Sequence, residues 1–240
     1  MLEKSDTAVL QFSGGKDSLA CLFLLRDYWQ SLIVLWVNTG AAFPETLEQM
    51  AMVRELVPNF LEIKSDQPAQ IAKFGNPTDL VSWWDTPLGR SLDSSRITRA
   101  QTPTSCCKEN IWVPMHEATM RLKPTVVIRG QRNAEQRKGP VRDGMVYEGV
   151  RYWFPIEDWS DNDVYAYLRE VGVPLPANYD YMNTSLDCWS CTAYLDENAG
   201  KFTYMKERHP GLYARAQVSL DCLARAARIE LDRLVNCASL

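Results

Sequence analysis

The 240-residue sequence lacks several features that would place it in a specialised class of protein. No apolar stretch approaches the roughly 20 residues that a membrane-spanning helix needs, and the first ten residues lack the apolar core of a signal peptide. Positive charge is not in excess, because 26 Lys and Arg face 30 Asp and Glu for a net charge of −4, which argues against broad nucleic-acid binding. Repeats and low-complexity tracts are also missing. These absences predict a soluble, cytoplasmic protein with no membrane partner.

Apolar runs alternate with helical patterns in the first part of the chain. The run "AVLQF" (8–12) predicts a strand, and "LIVLWVN" (32–38) predicts a strand covered on both faces. A helix is expected over 17–29, another over 45–57, and a third strand over 59–64. This order predicts an α/β fold, a doubly wound, mostly parallel sheet with helices on both faces.

The rest of the chain is expected to complete this domain and add a helical tail. Residues 75–105 are rich in Pro, Ser, Thr and Asp and predict a long, partly ordered loop or lid. The other expected elements are a helix over 108–122 disturbed by Pro114, a strand over 125–130, a hairpin turning at Asp143-Gly144 into a strand over 151–156, a helix from Ser160 to Gly172, a loop over 173–192, and a C-terminal helix over 210–234 in one or two pieces. We expect an α/β domain over 1–195 and a helical tail over 196–240 packed on it.

The stretch "SGGKDS" (13–18) joins the first strand to the first helix. Glycines there allow close backbone approach, a lysine adds positive charge, and serines add hydroxyl donors at the positive end of a helix dipole. The ligand favoured by such a turn is a phosphate or similar anion. The stretch matches neither the Walker pattern nor GxGxxG.

Several segments of the sequence resemble motifs of a known family. "SGGKDS" resembles the phosphate loop of the ATP-pyrophosphatase-like (PP-loop) superfamily, whose fold is that of the adenine nucleotide alpha-hydrolases. "NTGAAFPET" (38–46), "GQR" (130–132), "CCKENIWVP" (106–114) and the block over 154–192 resemble motifs of its sulfonucleotide reductases. Those enzymes reduce adenylyl sulfate (APS) or its 3′-phosphorylated form (PAPS), releasing sulfite and AMP or PAP. The resemblance covers residues 8–195.

The resemblance implies a set of residues for an adenine nucleotide. The expected nucleotide-binding residues are Ser13, Gly14, Gly15, Lys16, Asp17, Ser18, Asn38, Thr39, Gly40 and Arg132. Asn38 stands where the family has aspartate. Arg132 matches the family arginine and could fork onto a phosphate or sulfate. Four positive charges, Arg90, Arg96, Arg99 and Lys108, could serve a lid or belong to a solvated loop, and Arg137 is a further weak candidate.

Four of the seven cysteines form two close pairs, Cys106-Cys107 and Cys188-x-x-Cys191. An odd cysteine count without a secretory signal speaks against a disulfide framework. Four thiolates suit zinc or an iron–sulfur cluster, while four reduced, buried thiols are the alternative. In the family that the chain resembles, CC and CxxC pairs hold one [4Fe–4S] cluster, and the resemblance implies the same here, with zinc as a second option. The remaining Cys21 and Cys222 are expected to pack in the core.

The family's nucleophilic cysteine lies in a C-terminal "ECGxH" segment that this sequence lacks. Its thiolate attacks sulfur, and a thioredoxin-like partner resolves the S-sulfonate. Cys237, expected to be exposed, is the remaining candidate there, so the implied catalytic set is Lys16, Arg132 and Cys237. His116 and His209 are expected to be packed, exposed or capping residues without a catalytic role.

Two other functions stay open at this point. One is an ATP-using sulfurtransferase or thiolation enzyme on the same fold, the only case in which nucleic acid would be a partner. The other is a nucleotide-binding protein that has lost its nucleophile. A homo-oligomer is a possible assembly.

Overall fold

Strands and helices alternate along the computed structural model, which describes residues 2–3, 6–95, 100–135, 139–186 and 188–238. The first elements are β1 (Ala8–Gln11), α1 (Lys16–Leu24), β2 (Ile33–Asn38), α2 (Pro44–Leu56), β3 (Asn59–Lys64), α3 (Gln67–Phe74), β4 (Asn76–Pro77), α4 (Pro87–Leu92) and β5 (Ala100–Gln101). They are followed by α5 (Pro103–Cys107), α6 (Val113–Arg121), β6 (Val126–Ile128), β7 (Val146–Tyr147), β8 (Val150–Trp153), α7 (Asp161–Glu170), α8 (Leu195–Arg208) and α9 (Pro210–Ala238).

The central sheet has the strand order β3-β2-β1-β6-β8-β7. Neighbouring strands run parallel except for β7, which pairs antiparallel with β8. The chain therefore winds outward from β1 to β3 and then crosses back to place β6 on the other side of β1. This confirms the predicted doubly wound α/β class. The carboxyl ends of β1 and β6 lie beside each other at the point where the strand order reverses, and ligands bind at such points in α/β sheets.

Alternate residues of the buried strands contact helices on opposite faces of the sheet. Leu10 and Phe12 face the larger apolar cluster, which α1, α2 and α7 cover. Val9 and Leu35 point the other way and pack against Ala118 of α6. Because both faces are covered, these strands are apolar throughout, as the run of residues 32–38 predicted.

The first helix is shorter than predicted. The pattern over 17–29 gives a helix that ends at Leu24 and a separate 3₁₀ turn over Arg26–Tyr28. The amide of Leu25 bonds to the carbonyls of both Cys21 and Leu22, so the helix tightens here.

The expected long loop over 75–105 is largely built of short elements. It contains β4, α4, β5 and the start of α5, and β4 pairs with β5 as a small parallel ladder. The preceding helix α3 was not predicted at all; Asp66 caps it by accepting a bond from the Ala69 amide at 2.9 Å. Arg96 and Arg99 of the expected lid lie outside the described residues, as does Arg137.

The helix expected over 108–122 begins earlier, with α5 at Pro103, and continues through a π-helical turn over Lys108–Trp112 into α6. Proline has no amide hydrogen, so Pro114 cannot bond the Asn110 carbonyl four residues before it. The hydroxyl of Ser65 donates to that carbonyl instead, at 2.7 Å. The Asn110 carbonyl therefore has a hydrogen-bond partner even though Pro114 interrupts the helical bonding pattern.

The predicted hairpin exists, but its turn lies elsewhere. Glu148 and Gly149 form the tight connection between β7 and β8, both with positive φ (52° and 77°). Asp143-Gly144, the predicted turn, instead leads the chain into β7, and Asp143 accepts a bond from the Phe154 amide. A positive φ is uncommon for glutamate, which is why the sequence favoured Asp-Gly.

The tail forms two helices. The second, α9, is one continuous helix over 29 residues. Tyr204, Met205 and Ala216 of these helices are buried in a cluster with Phe43 and Met182. The division at residue 195 stays a prediction. No helix in the described ranges is long and apolar enough to cross a membrane.

The start of α7 gives a direct stability prediction. The Ser160 hydroxyl accepts a bond from the Asp163 amide at 3.2 Å, and Asp163 accepts one from the Ser160 amide at 2.8 Å. We expect Ser160→Ala to lower the free energy of unfolding by about 1 kcal/mol because a capping box is lost. Asn162→Ala, at an exposed position of the same helical turn, is the control and should be nearly neutral. Urea unfolding of both variants measures this; equal effects would contradict the capping role.

Candidate functional site

A cleft of about 1050 Å³ opens at the carboxyl edge of β1, β2 and β6. Its described walls come from the loop after β1, the residues around the start of α6, the segment after β6, the segment before Cys188 and the first turns of α8. The volume suits a nucleotide-sized ligand. The predicted loop and strand ends therefore do surround one cavity.

The loop over 13–18 is held in shape by its own serines. The Gly15 amide donates to the Ser13 hydroxyl and the Gly14 amide to the Ser18 hydroxyl, each at 3.2 Å. The Lys16 amide donates to the hydroxyl of Tyr179 at 2.7 Å. Gly14 has φ +84°, which favours glycine. The amides at the start of α1 therefore donate to side-chain hydroxyl groups rather than to main-chain carbonyls.

The two cations predicted for the anion are part of a compact ion cluster. Lys16 Nζ lies 2.9 Å from a carboxylate oxygen of both Asp17 and Asp161. Arg132 donates through Nε to Asp17 at 2.7 Å, through Nη2 to Asp161 at 2.6 Å and through Nη1 to the Trp159 carbonyl at 3.0 Å. Both cations are about 3% exposed. Burial disfavours the charge on Asp161, but Lys16 and Arg132 outweigh it and hold the pKa of this carboxyl below its usual value.

Gly130 lets the segment after β6 lie directly against the loop over 13–18. A Cβ at this position would be 2.8–2.9 Å from the main chain of Asp17 and Ser18. Because these are backbone atoms, no change of side-chain rotamer could relieve the contact. The close approach at Gly130 therefore allows Arg132 to reach the carboxylates of Asp17 and Asp161.

Of the predicted residues after β2, Thr39 lines the cleft, whereas Asn38 and Gly40 are not among its described lining residues. Asn38 donates its amide to Glu62 at 2.8 Å, and its carbonyl accepts from the Gly40 amide at 3.0 Å. The bond from Asn38 lowers the pKa of Glu62. An aspartate here would place a second carboxylate against Glu62, which gives a physical reason for the asparagine.

Glu135 and Arg129 are among the charged cleft residues that sequence reasoning missed. Burial, followed by the charge of Asp17, raises the pKa of Glu135 to about 6. Arg129 donates to the Gln11 side chain at 2.6 Å and lies over the Tyr152 ring. Glu135 follows the "GQR" segment at a strand end, and that position was the available signal.

His116 was also left without a role, yet it lines the cleft with Ile111, Trp112 and Met115. These residues lie on the π-helical turn and the start of α6. The regular 3.6-residue pattern does not describe a π-helical turn, so the face that it presents was not predictable from periodicity.

The two cysteine pairs lie near one another, and of their four residues Cys188 is the one among the described lining residues of this cleft. Thr39 Oγ1 hydrogen-bonds to Cys188 Sγ at 3.1 Å, and Cys188 lines the cavity. Gln67 links the pairs, since its amide nitrogen is 3.9 Å from Cys106 Sγ and its carbonyl accepts a bond from Ser190. Cys107 Sγ lies 4.0 Å from the Tyr194 hydroxyl. The fold therefore brings residues 106–107 and 188–191 to one locality.

None of the four cysteines is in a disulfide bond, and three of them are buried. Burial, and then the nearby Cys191, raises the pKa of Cys106 to about 11. Over the described ranges, no three His, Cys, Asp or Glu side chains converge in a geometry that could hold a metal ion. The donor chemistry of two neighbouring cysteine pairs still fits a thiolate-bound metal group, with amide and hydroxyl groups of Gln67, Asn110 and Thr39 directed at sulfur.

The remaining cysteines lie away from the cleft. Cys21 is buried in α1, as predicted. Cys222 was expected in the core, but it is exposed on α9 because little of that helix is covered beyond Ala216. Cys237 is exposed near the end of the same helix, as predicted, and does not line the described cleft.

The fold and site define an α/β protein whose cleft joins the glycine-containing loop over 13–18 to Cys188, one member of two neighbouring cysteine pairs. A family model for the phosphoadenosine phosphosulfate reductase domain matches residues 7–194. The chain belongs to this family. The resemblance carried by the sequence motifs is thereby confirmed.

Two of the similar proteins share the name adenosine 5′-phosphosulfate reductase. Adenosine 5′-phosphosulfate reductase of Allochromatium vinosum is 23% identical over 235 residues, covering 95% of this chain and 86% of the relative. The enzyme of that name from Geobacillus kaustophilus is 25% identical over 202 residues, covering 80% and 75%. The crystal structure of PAPS reductase from Candida auris, a phosphate complex, aligns with TM-score 0.52 at 18% identity over 75% of this chain and 81% of that one. This structural likeness supports the fold.

Proposed function

We propose that the protein is a sulfonucleotide reductase-like enzyme, an oxidoreductase that binds APS or PAPS and releases sulfite with AMP or PAP. The observation that carries the proposal is that one cleft joins the loop over 13–18 to Cys188 through Thr39. Membership in the reductase family and the names of the two relatives support the reaction class.

The anionic end of the nucleotide would lie at the loop. Ser13 and Ser18 hydroxyls can rotate, which would free the amides of Gly14 and Gly15 for a phosphate oxygen. Lys16 and Arg132 are the proposed catalytic cations, sharing their charge between the carboxylates and the anion. Asp17 holds both in place. Thr39 would contact the ligand, whereas Asn38 and Gly40 would shape the strand end behind it.

The proposed resident group is a [4Fe–4S] cluster held by Cys106, Cys107, Cys188 and Cys191, with zinc as the alternative. The thiolate-only donor set and the two paired spacings support it. When bound, such a cluster supplies redox-active iron. The chain's own contribution is to bury the thiols and to direct Gln67, Asn110 and Thr39 at their sulfur atoms.

The reduction needs a thiolate that attacks the sulfur of the sulfonucleotide. A new S–S bond forms as the S–O bond to the nucleotide breaks, and AMP or PAP leaves. A second thiol then attacks the cysteine sulfur of the S-sulfonate, so that sulfite leaves and a disulfide forms between the two thiols. Cys237 is the candidate within the chain. A thioredoxin-like donor would supply the second thiol, or both thiols if Cys237 does not take part.

One observation favours a second candidate, ATP-dependent sulfur transfer. Five carboxylates and three permanent cations line the described part of the cleft: Asp17, Glu135, Asp161, Asp196 and Glu197 against Lys16, Arg129 and Arg132. An excess of carboxylates is more compatible with a triphosphate carrying a divalent cation than with a bare polyanion. The same balance favours APS over the more highly charged PAPS.

The test is anaerobic purification followed by calorimetric titration with APS, PAPS, and ATP with and without Mg²⁺. Iron, sulfide and the visible spectrum are recorded on the same sample. Sulfite released from APS or PAPS with a dithiol would establish the reductase, and Cys237→Ser would show whether Cys237 is the nucleophile. Turnover that requires Mg²⁺-ATP and no sulfonucleotide would establish the second candidate. Binding without turnover would leave a nucleotide-binding protein.

Glu135 gives a pH prediction for this site. Below its pKa of about 6 the side chain is neutral, and above it a carboxylate faces the anion. The affinity for APS should therefore fall about threefold to tenfold as pH rises from 5 to 7, over a range where the phosphosulfate does not titrate. Glu135→Gln should remove most of this dependence and bind at least as tightly at pH 7. His116 also lines the cleft, so the comparison is made between wild type and E135Q; identical slopes would contradict the prediction.

A further inference from the structure

Arg129, directly after β6, lines the cleft with a guanidinium that is held in place on two sides. Its Nε donates to the Gln11 side chain at 2.6 Å, and its guanidinium carbon is 5.4 Å from the centroid of the Tyr152 ring. Gln11 is itself fixed, because its amide donates to the Thr119 hydroxyl at 3.0 Å. Within the described ranges, Nη1 and Nη2 of Arg129 have no hydrogen-bond partner. A fixed fork of N–H donors is therefore available at the wall of the cleft.

Lys16 and Arg132 differ from Arg129 because carboxylates already share their charge. Lys16 Nζ lies 2.9 Å from carboxylate oxygens of Asp17 and Asp161. All three nitrogens of the Arg132 guanidinium donate to protein oxygens. No carboxylate in the described part of the chain is within salt-bridge distance of Arg129. Burial lowers the pKa of Arg129, whereas the two aspartates overcome burial and raise the pKa of Arg132.

Arg129 lies on the opposite side of β1 from the cysteine end of the cleft. It follows β6, whereas Thr39, which bonds to Cys188, follows β2, and β1 lies between these two strands. Neighbouring strands are about 4.8 Å apart, so the two strand ends are separated by roughly 10 Å. The loop over 13–18 follows β1 and lies between them. A nucleotide-sized ligand can therefore reach the loop and Arg129 with different groups.

We propose that Arg129 forms a second anion subsite, in which its outer nitrogens bind a phosphate or sulfate group of the ligand through a forked pair of hydrogen bonds. That the ligand is a nucleotide with two such groups rests on the proposed function. The 5′-phosphate lies at the loop, and the group at Arg129 is either the sulfate of a phosphosulfate or the 3′-phosphate of a bisphosphate. Gln11 is a positioning residue, since it holds Nε and leaves the outer nitrogens open.

Calorimetric titration with AMP, APS and adenosine 3′,5′-bisphosphate separates these two sources. Arg129→Met removes the charge and the fork, and Arg129→Lys keeps the charge alone. We expect Arg129→Met to weaken binding of APS or of the bisphosphate by about tenfold or more, with Arg129→Lys between it and wild type, and to change AMP affinity less than about twofold. A loss for APS identifies the sulfate, and a loss for the bisphosphate identifies the 3′-phosphate. Arg121→Met, at an exposed position, is the matched control.

A second readout needs no nucleotide. Phenylglyoxal modifies guanidinium groups, and mass spectrometry gives the rate at each arginine of the wild-type protein. We expect sodium sulfate, compared with sodium chloride at equal ionic strength, to slow modification of Arg129 about threefold or more, because the anion occupies its outer nitrogens. Modification of the exposed Arg121 should not change.

Urea unfolding shows whether the variants fold. Arg129→Met should keep nearly the stability of wild type, because it removes a partly buried cation that no described carboxylate pairs. A large loss of stability would instead make Arg129 a structural residue.

Two results would overturn the second subsite: equal weakening of AMP, APS and bisphosphate binding, or modification of Arg129 that sulfate does not slow. Both are distinguishable from failure of the proposed function. Wild-type protein that releases no sulfite from APS or PAPS, yet shows protection of Arg129 by sulfate, would remove the reductase proposal and keep the anion subsite.

Discussion

Gly130→Ala is expected to weaken nucleotide binding by about tenfold or more and to lower the free energy of unfolding by about 1–3 kcal/mol. The added methyl group would meet the carbonyl of Asp17 and the amide of Ser18 at 2.9 Å. These are backbone atoms at the start of α1, so the methyl group can be accommodated only if the segment after β6 moves away from the loop. That movement would also withdraw Arg132 from Asp17. Calorimetric titration with APS and urea unfolding measure the two effects.

Gly211→Ala is the control for this experiment. Gly211 lies in the first turn of α9, and no atom within 4 Å would meet its added Cβ. The substitution should leave binding unchanged and stability equal or slightly higher, since alanine favours helix. Similar losses in both variants would show that the effect of Gly130→Ala does not come from the contact with Asp17 and Ser18.

Arg132→Leu is expected to have the largest effect on stability, about 3 kcal/mol. Removing the guanidinium leaves the carboxylates of Asp17 and Asp161 with Lys16 as their remaining cation in the described part of the chain, and it leaves the Trp159 carbonyl without this donor. The value lies at the lower end of the range for broken buried ion pairs because the Asp161 side chain is 46% exposed and partly screened by water. Urea unfolding at pH 7 gives the loss directly.

Arg121→Leu provides the comparison at the surface. Arg121 pairs with Glu117 at 3.7 Å, and both side chains are well exposed, so the loss should stay within about 0.5 kcal/mol. Adding Asp17→Asn to Arg132→Leu should recover part of the stability, because one of the two carboxylates that then share Lys16 is removed. If the double variant is less stable than Arg132→Leu alone, the ion cluster does not behave as described.

The sequence was most informative where local chemistry decides the structure. The loop over 13–18 and the capped helix after Ser160 were both predictable, since glycine conformation and capping act over a few residues. Strands β1 and β2 were predictable because both of their faces are buried. The two cysteine pairs were assigned to the candidate site through motif resemblance rather than through periodicity.

What the sequence did not predict depends on contacts between distant segments. Asp161 begins a helix by any local criterion, yet it also pairs with Lys16, 145 positions away (161 − 16). Lys201 looks like an ordinary helix residue, yet it is buried, because Gly200 brings α8 against the Tyr181 carbonyl. The pKa of Glu135 reflects burial, which no short pattern reveals. Helix α3 and the turn at Glu148 were missed for a different reason: their residues have weak or unusual local preferences.

The position of β1 between β2 and β6 has a consequence for the order in which the protein can fold. Thr7 bonds to Thr125 across 118 positions, and Ala8, Val9 and Leu10 pair with residues 126–128. During synthesis at about 5–20 residues per second, one edge of β1 therefore waits roughly 6–24 s for its partner. Until then the apolar edge at Val9 and Leu10 is open to other chains. The loop cannot receive Gly130 and Arg132 before that time either, so nucleotide affinity should arise late, when β6 closes the sheet.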